Sequence, residues 1–148
     1  MTAPERLRAH PKGRLASLVQ IMGLASVAEQ LRAELHDSVD GHRQIAIVRH
    51  GPVTMILFVF DAGGSLKEHR AEGVVTMQVI AGHVQITADG EVLEVRTGEL
   101  VALATDVRHS VRAVVASEML LTMHRVTGAA VATDAAAASG AGATADAA

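Results

Sequence analysis

Short apolar runs separated by turn residues dominate the middle of the chain. Between residues 44 and 125 these runs are rich in Val, Ile, Leu and Thr, a composition typical of strands. Asp89-Gly90 indicates a tight hairpin, because a two-residue type I′ turn needs positive φ at both central positions. So many short strands at even spacing predict a sandwich or a barrel. The predicted strands span 44–49, 53–60, 66–69, 74–80, 83–87, 92–96, 100–103, 109–115 and 119–125.

A short segment with helical spacing precedes these runs. Ser26 and Glu29 have the spacing of a capping box, in which the serine hydroxyl bonds the backbone N–H at Glu29. Val27 and Leu31 follow at positions that share one helical face. The pattern predicts a helix over about 27–36.

The chain divides into three zones of different composition. Its 148 residues indicate one domain, which we place at 14–126. Residues 1–13 are polar and are predicted to be a loose N-terminus. Residues 127–148 consist mainly of Ala, Gly, Ser, Thr and Asp, with no apolar face to bury, and predict a disordered tail. The apolar segment 15–22 fits a strand or a helix, and a strand there could join its own barrel or that of a partner.

Composition narrows the function classes. The chain has no cysteine, so disulfides and thiol chemistry are excluded. A net charge of -3, with Phe58 and Phe60 as the only aromatic residues, gives no basis for a nucleic-acid partner. No stretch approaches the roughly 20 apolar residues of a membrane helix, so no membrane association is expected. We therefore expect a cytoplasmic protein.

The segment GGSLKEHRAEGVVTMQVIAG, which begins at Gly63, resembles the first motif of the cupin superfamily. In that motif a glycine precedes a histidine by six residues, and a second histidine, a glutamate and a glycine follow. Gly63, His69 and Gly82 match this frame. Ala71 and Val75 stand where the family has its second histidine and its glutamate.

The segment GELVALATDVRHSVRA, which begins at Gly98, resembles the second cupin motif. Gly98 and His109 match its glycine and its histidine. Ala104, Asp106 and Ala113 replace the proline, the second glycine and the asparagine of the motif. The resemblance covers about residues 44–125.

The resemblance implies an all-β fold, the cupin double-stranded β-helix or jelly-roll barrel, here with a short N-terminal helix. Cupins often form homodimers, and a homodimer is expected here. Complete members bind Fe, Mn, Ni, Cu or Zn, and include oxygenases, isomerases, decarboxylases and sugar-binding regulators. The resemblance does not indicate which of these activities the protein has.

His69 and His109 are the predicted metal ligands, and they form an incomplete site. A mononuclear metal needs three or four well-placed N or O ligands. The third metal ligand is Glu72 or Gln78, or the protein has none. We therefore expect either one weakly held divalent transition metal or none.

Strand alternation predicts an apolar pocket. If position 75 faces the barrel interior, positions 77 and 79 face it too, while Gln78 faces outward. The last strand contributes in the same way. Arg108 or Arg70 is a candidate for binding an anionic group at the mouth, since guanidinium binds carboxylates bidentately. The predicted pocket residues are Val75, Met77, Val79, Met119, Leu121, Met123 and Arg108.

Three functions are compatible with these features. The first is binding of a small organic ligand in an apolar pocket beside an incomplete two-histidine metal site. The second is a metal-dependent cupin enzyme, an oxygenase or isomerase, with an open coordination shell. The third is a structural dimeric barrel. No catalytic residue can be assigned from the sequence.

Overall fold

The computed structural model of the protein describes residues 19–126. The predicted loose N-terminus 1–13 and the predicted tail 127–148 lie outside the described residues, as do residues 14–18 of the predicted domain. Of the ambiguous segment 15–22, the described part, 19–22, forms neither helix nor strand.

The described part of the chain contains one helix and nine strands, joined by turns and loops. Every predicted strand is present, with bounds within two residues of the prediction. The elements are α1 (Leu24–Ala33), β1 (His42–His50), β2 (Val53–Phe60), β3 (Ser65–His69), β4 (Gly73–Ala81), β5 (His83–Ala88), β6 (Glu91–Arg96), β7 (Leu100–Leu103), β8 (His109–Ala113) and β9 (Ser117–Arg125).

The strands form two antiparallel sheets that face each other. One has five strands in the order β1-β2-β9-β4-β7, and the other has four in the order β3-β8-β5-β6. Their inner faces share one apolar core, which includes Phe60 and Met77 from the first sheet and Ile86 and Val111 from the second. The predicted all-β double-sheet barrel with a short N-terminal helix is confirmed.

Strand β4 shows how alternation separates the barrel interior from the outside. Val75, Met77 and Val79 are at most 1% exposed, whereas Gln78 between them is exposed. Met119 on the neighbouring strand β9 lies opposite Val79 and is fully buried. Period-two burial on paired strands therefore builds the wall of the barrel from alternate residues.

Helix α1 packs on the outer face of the five-stranded sheet. Its buried residues, Ala28 and Leu31, contact a second apolar cluster that contains Ile45, Ile47 and Leu57. The register of β1 against β2 shifts around Ile47, as a β-bulge does. The bulge leaves both isoleucines buried under the helix.

The predicted capping box is wrong. The N-cap of α1 is Gly23 and has no side-chain cap, so Ser26 lies inside the helix, where its hydroxyl oxygen is 3.4 Å from the side-chain amide of Gln30. The helix begins three residues earlier than predicted because Leu24 joins the apolar cluster on the sheet. It also ends earlier, at Ala33, which leaves Leu35 81% exposed.

The glycine at the end of the first motif is required by a close approach. Gly82 has φ +103°, and a Cβ there would overlap Ser117 Oγ and lie 2.8 Å from the carbonyl oxygen of Ala116. Ser117 is fully buried, and its hydroxyl donates to the carbonyl of Val115 at 2.7 Å. The β4–β5 turn and the start of β9 therefore fit together only without a side chain at position 82.

The structure bears on the predicted absence of a membrane helix but not on the predicted homodimer. Among residues 19–126, no helix has the length and the apolar character to cross a membrane. The homodimer and the exchange of an N-terminal strand between chains stay predictions.

We expect Leu31→Ala to lower the free energy of unfolding by about 2–5 kcal/mol, because it leaves a cavity between α1 and the sheet. Urea denaturation followed by circular dichroism measures this change. The matched control is Leu35→Ala at an exposed position, for which we expect a change within about 0.5 kcal/mol. Equal effects of the two substitutions would contradict the packing of the helix on the sheet.

Candidate ligand pocket with a histidine pair

The two motif histidines lie side by side at one end of the barrel. His69 ends β3 and His109 begins β8, and these residues are directly opposed in the antiparallel pair. Their ring centroids are 4.3 Å apart, with an edge-to-face angle of 61°. The pairing of β3 with β8 thus brings together two residues that are forty positions apart in the chain.

The Nδ1 atom of each imidazole is hydrogen-bonded to the backbone carbonyl two residues earlier in the chain. His109 Nδ1 lies 2.9 Å from the carbonyl oxygen of Val107, and His69 Nδ1 lies 2.8 Å from that of Lys67. A carbonyl oxygen only accepts, so Nδ1–H is the donor in both rings. The neutral form of each ring therefore has its lone pair on Nε2.

The two rings differ in their exposure to solvent. His69 is exposed at the rim, whereas His109 is only 2% exposed. Among the described residues nothing bonds to His109 Nε2. Burial lowers the pKa of His109, the nearby His69 lowers it further, and the bond to Val107 opposes the shift. His109 is therefore neutral near pH 7, with an unpaired acceptor nitrogen.

A cavity of about 410 Å³ opens beside the histidine pair, and both rings line it. Its apolar lining comes from both sheets and from the loop before β4. Its polar lining carries charges of both signs. The apolar residues are Ile56, Phe58, Leu66, Ala71, Val75, Leu121 and Met123, and the polar ones are Gln44, Lys67, Arg70, Glu72 and Arg125.

The apolar residues proposed from the sequence divide into two groups. Val75, Leu121 and Met123 line the cavity. Met77, Val79 and Met119 are fully buried in the packed core. The register explains the division, because the paired residues Val75 and Met123 lie near the mouth while Val79 and Met119 pair farther along the same strands.

The polar residues proposed from the sequence also lie in different places. Arg108 lines a neighbouring depression that shares Arg70 and His109 with the cavity, and its guanidinium is 3.3 Å from a carboxylate oxygen of Glu68. It lies in the loop just before β8, which begins at His109, and it is not among the residues that line the cavity. Gln78 lies on the exposed face of β4, whereas Glu72 lines the cavity.

Several lining residues were missed by sequence reasoning. Gln44 and Phe58 are paired on β1 and β2, and Arg125 ends β9 opposite Gly73. Alternation along β2 was available as a signal for Phe58. It identifies lining residues only when the strand order is known, and the sequence does not reveal that β2 lies beside β9.

The donor set does not fit a resident metal. Among residues 19–126, no three His, Asp or Glu side chains converge closely enough to hold a metal ion. His69 and His109 provide two nitrogens, while Ala71 and Val75 offer only carbon at the positions where the cupin motif has two more ligands. Two imidazoles leave most of a transition metal's coordination shell to be filled from outside the protein.

Protonation of His109 should make the protein sensitive to acid. Because burial lowers the folded-state pKa, the unfolded chain takes up the proton first as the pH falls below about 6.5, and stability present above that pH is lost. We expect His109→Asn to show a smaller loss of unfolding free energy between about pH 7.5 and about pH 5.5 than the wild type.

The measurement is urea denaturation at the two pH values. His124→Asn, at an exposed position on β9, controls for the loss of a histidine elsewhere. A loss of stability in His109→Asn as large as that of the wild type would rule out His109 as a source of the acid sensitivity.

Comparisons with known proteins identify the fold. No protein-family model matches the sequence, and none of the curated proteins matches it significantly. Solved structures do match. A cupin superfamily protein from Desulfitobacterium hafniense is 18% identical and superposes with a TM-score of 0.61, over 76% of this chain and 96% of that one.

Two further structures agree with that match. A protein of unknown function from Streptococcus pyogenes is 20% identical, with a TM-score of 0.60 over 76% of this chain and 92% of that one. An RmlC-like cupin from Desulfovibrio desulfuricans is 22% identical, with a TM-score of 0.54 over 62% of this chain and 92% of that one. Since these structures superpose on most of the described residues and the chain has two facing antiparallel sheets, the chain has the cupin fold.

Proposed function

We propose that the protein binds a small organic molecule in the cavity beside His69 and His109, without a resident metal. The cavity itself carries the proposal. Its volume of about 410 Å³ lies within the range of small-molecule sites, and it combines apolar walls with polar and charged side chains. Cavities of this composition suit an organic ligand better than a hydrated ion, because the apolar walls cannot replace an ion's water shell.

The buried nitrogen of His109 supports ligand binding. A buried acceptor without a partner costs about 1–3 kcal/mol. His69, whose ring lies 4.3 Å from that of His109, is exposed, and both rings line the cavity. A ligand that donates an O–H or N–H to His109 Nε2 would remove this free-energy cost. Its binding free energy would then include this contribution as well as that of the apolar contacts.

Ligand binding is tested with a mixed library of neutral, cationic and anionic small molecules in ligand-observed NMR. We expect wild-type binders whose signals are lost in Ala71→Phe, since a phenyl group at this lining position fills part of the cavity. Val92→Phe, at a position that is 60% exposed on β6, is the matched control and should retain binding. Absence of binders, or binding that Ala71→Phe leaves unchanged, would contradict the proposal.

A metal-dependent enzyme is the second candidate, and the shared tautomer of the two histidines favours it. Rings anchored through Nδ1 hold Nε2 ready for a metal, as is usual for metal-binding histidines. Such a metal would supply Lewis acidity, and His69 and His109 would hold it. Waters or a substrate would have to complete its coordination, so its affinity would be low.

Restoring the missing motif ligands tests this second candidate. We expect the wild type to lose added Zn²⁺ or Mn²⁺ on dialysis, and Ala71→His/Val75→Glu to raise metal affinity by at least about tenfold, or about 1.4 kcal/mol. Calorimetric titration measures the affinities, and Thr76→Glu on the outward side of β4 is the control for added charge. Retention of about one metal per chain by the dialysed wild type would favour the enzyme instead.

A further inference from the structure

The rim of the cavity is more cationic than the chain as a whole. Lys67, Arg70 and Arg125 line it together with a single carboxylate, that of Glu72. The chain as a whole has a net charge of -3. Positive charge is therefore concentrated at the cavity, against the overall sign of the protein.

The two arginines at the rim have no carboxylate partner among residues 19–126. Lys67 lies 3.6 Å from Asp40, although its side chain is 83% exposed, and Arg108 outside the cavity is paired with Glu68. No such pair involves Arg70 or Arg125 in the described residues. Their guanidinium groups are therefore available to an anion that enters the cavity.

The backbone of Arg125 is held in place at the mouth. Its N–H donates to the carbonyl of Pro52 at 2.8 Å, and its strand lies against β4 where Gly73 has no side chain. A Cβ on Gly73 would overlap the carbonyl oxygen of His124. This close approach of β4 to β9 fixes Arg125 next to the apolar lining of the cavity, so an anion and a hydrocarbon group can be bound side by side.

The apolar lining and the cationic rim together define a class of ligand. We propose that the cavity binds monocarboxylates with a small hydrocarbon body, with the carboxylate on Arg70 and Arg125 and the body against Ile56, Phe58 and Leu121. This inference rests on the proposed ligand-binding function. Guanidinium matches a carboxylate bidentately, and the two exposed arginines place the charge pairing at the mouth, while the hydrocarbon body contacts the apolar lining. Glu72 disfavours ligands that carry two negative charges.

The probes are hexanoate, hexanamide, hexylammonium and hexyl phosphate, each titrated into the full chain by calorimetry. We expect hexanoate to bind at least about tenfold more tightly than hexanamide, and hexylammonium not to bind measurably. Added salt should weaken hexanoate and leave hexanamide unchanged, because only the carboxylate pairs with charge.

Substitution of the arginines tests their role. We expect Arg70→Gln/Arg125→Gln to lower hexanoate affinity at least about tenfold and to leave hexanamide affinity unchanged. Arg49→Gln, an exposed position on β1 outside the cavity lining, removes one charge as a control and should leave both affinities within about twofold. Arg70→Gln alone, in the loop between β3 and β4, keeps the test valid if the double variant fails to fold.

The outcomes separate this inference from the proposed function. Equal affinity for hexanoate and hexanamide, both blocked by Ala71→Phe, would overturn the carboxylate assignment and leave the binding function in place. Tighter binding of hexyl phosphate than of hexanoate would also overturn it, as would library hits confined to neutral or cationic molecules. If neither the four probes nor the library bind to the wild type, the binding function itself fails.

Discussion

The structure depends on the alternation of side chains across two sheets that face each other. Every second residue of β4 and β9 is directed into the barrel, and these residues are apolar almost throughout. Burying them is the main source of stability, and it leaves no place for a charged group deep in the barrel. The polar and charged side chains of the cavity therefore lie at one end of the barrel, next to Val75 and Met123.

At that end, the pairing of β3 with β8 determines what the site can do. It places His69 against His109 and ties both rings to backbone carbonyls through Nδ1. A fuller set of ligands would make this a metal centre. With Ala71 and Val75 in the other two ligand positions, the two imidazoles form part of the polar lining of a cavity that also has apolar walls. The site thus has two potential metal ligands fewer than the complete cupin motif, in line with the proposed organic ligand.

Much of the fold could be predicted from the sequence, because alternation and turn residues are local signals. The strands followed from them, as did the inward direction of Val75 and Met77. The helix start was missed because Leu24 is held by packing on the sheet, a long-range contact that overrides the Ser26 capping pattern. Arg125 was missed for a related reason. Its place at the cavity follows from the pairing of β9 with β4, and strand order is not encoded in any local pattern.

The central claim is that the cavity holds an organic molecule and not a metal. Native mass spectrometry of the full chain, produced in metal-supplemented medium and dialysed, tests it most directly. The account predicts the mass of the chain alone or with a small organic adduct, and no transition-metal adduct. A stoichiometric metal adduct that disappears in His69→Ala/His109→Ala would contradict it.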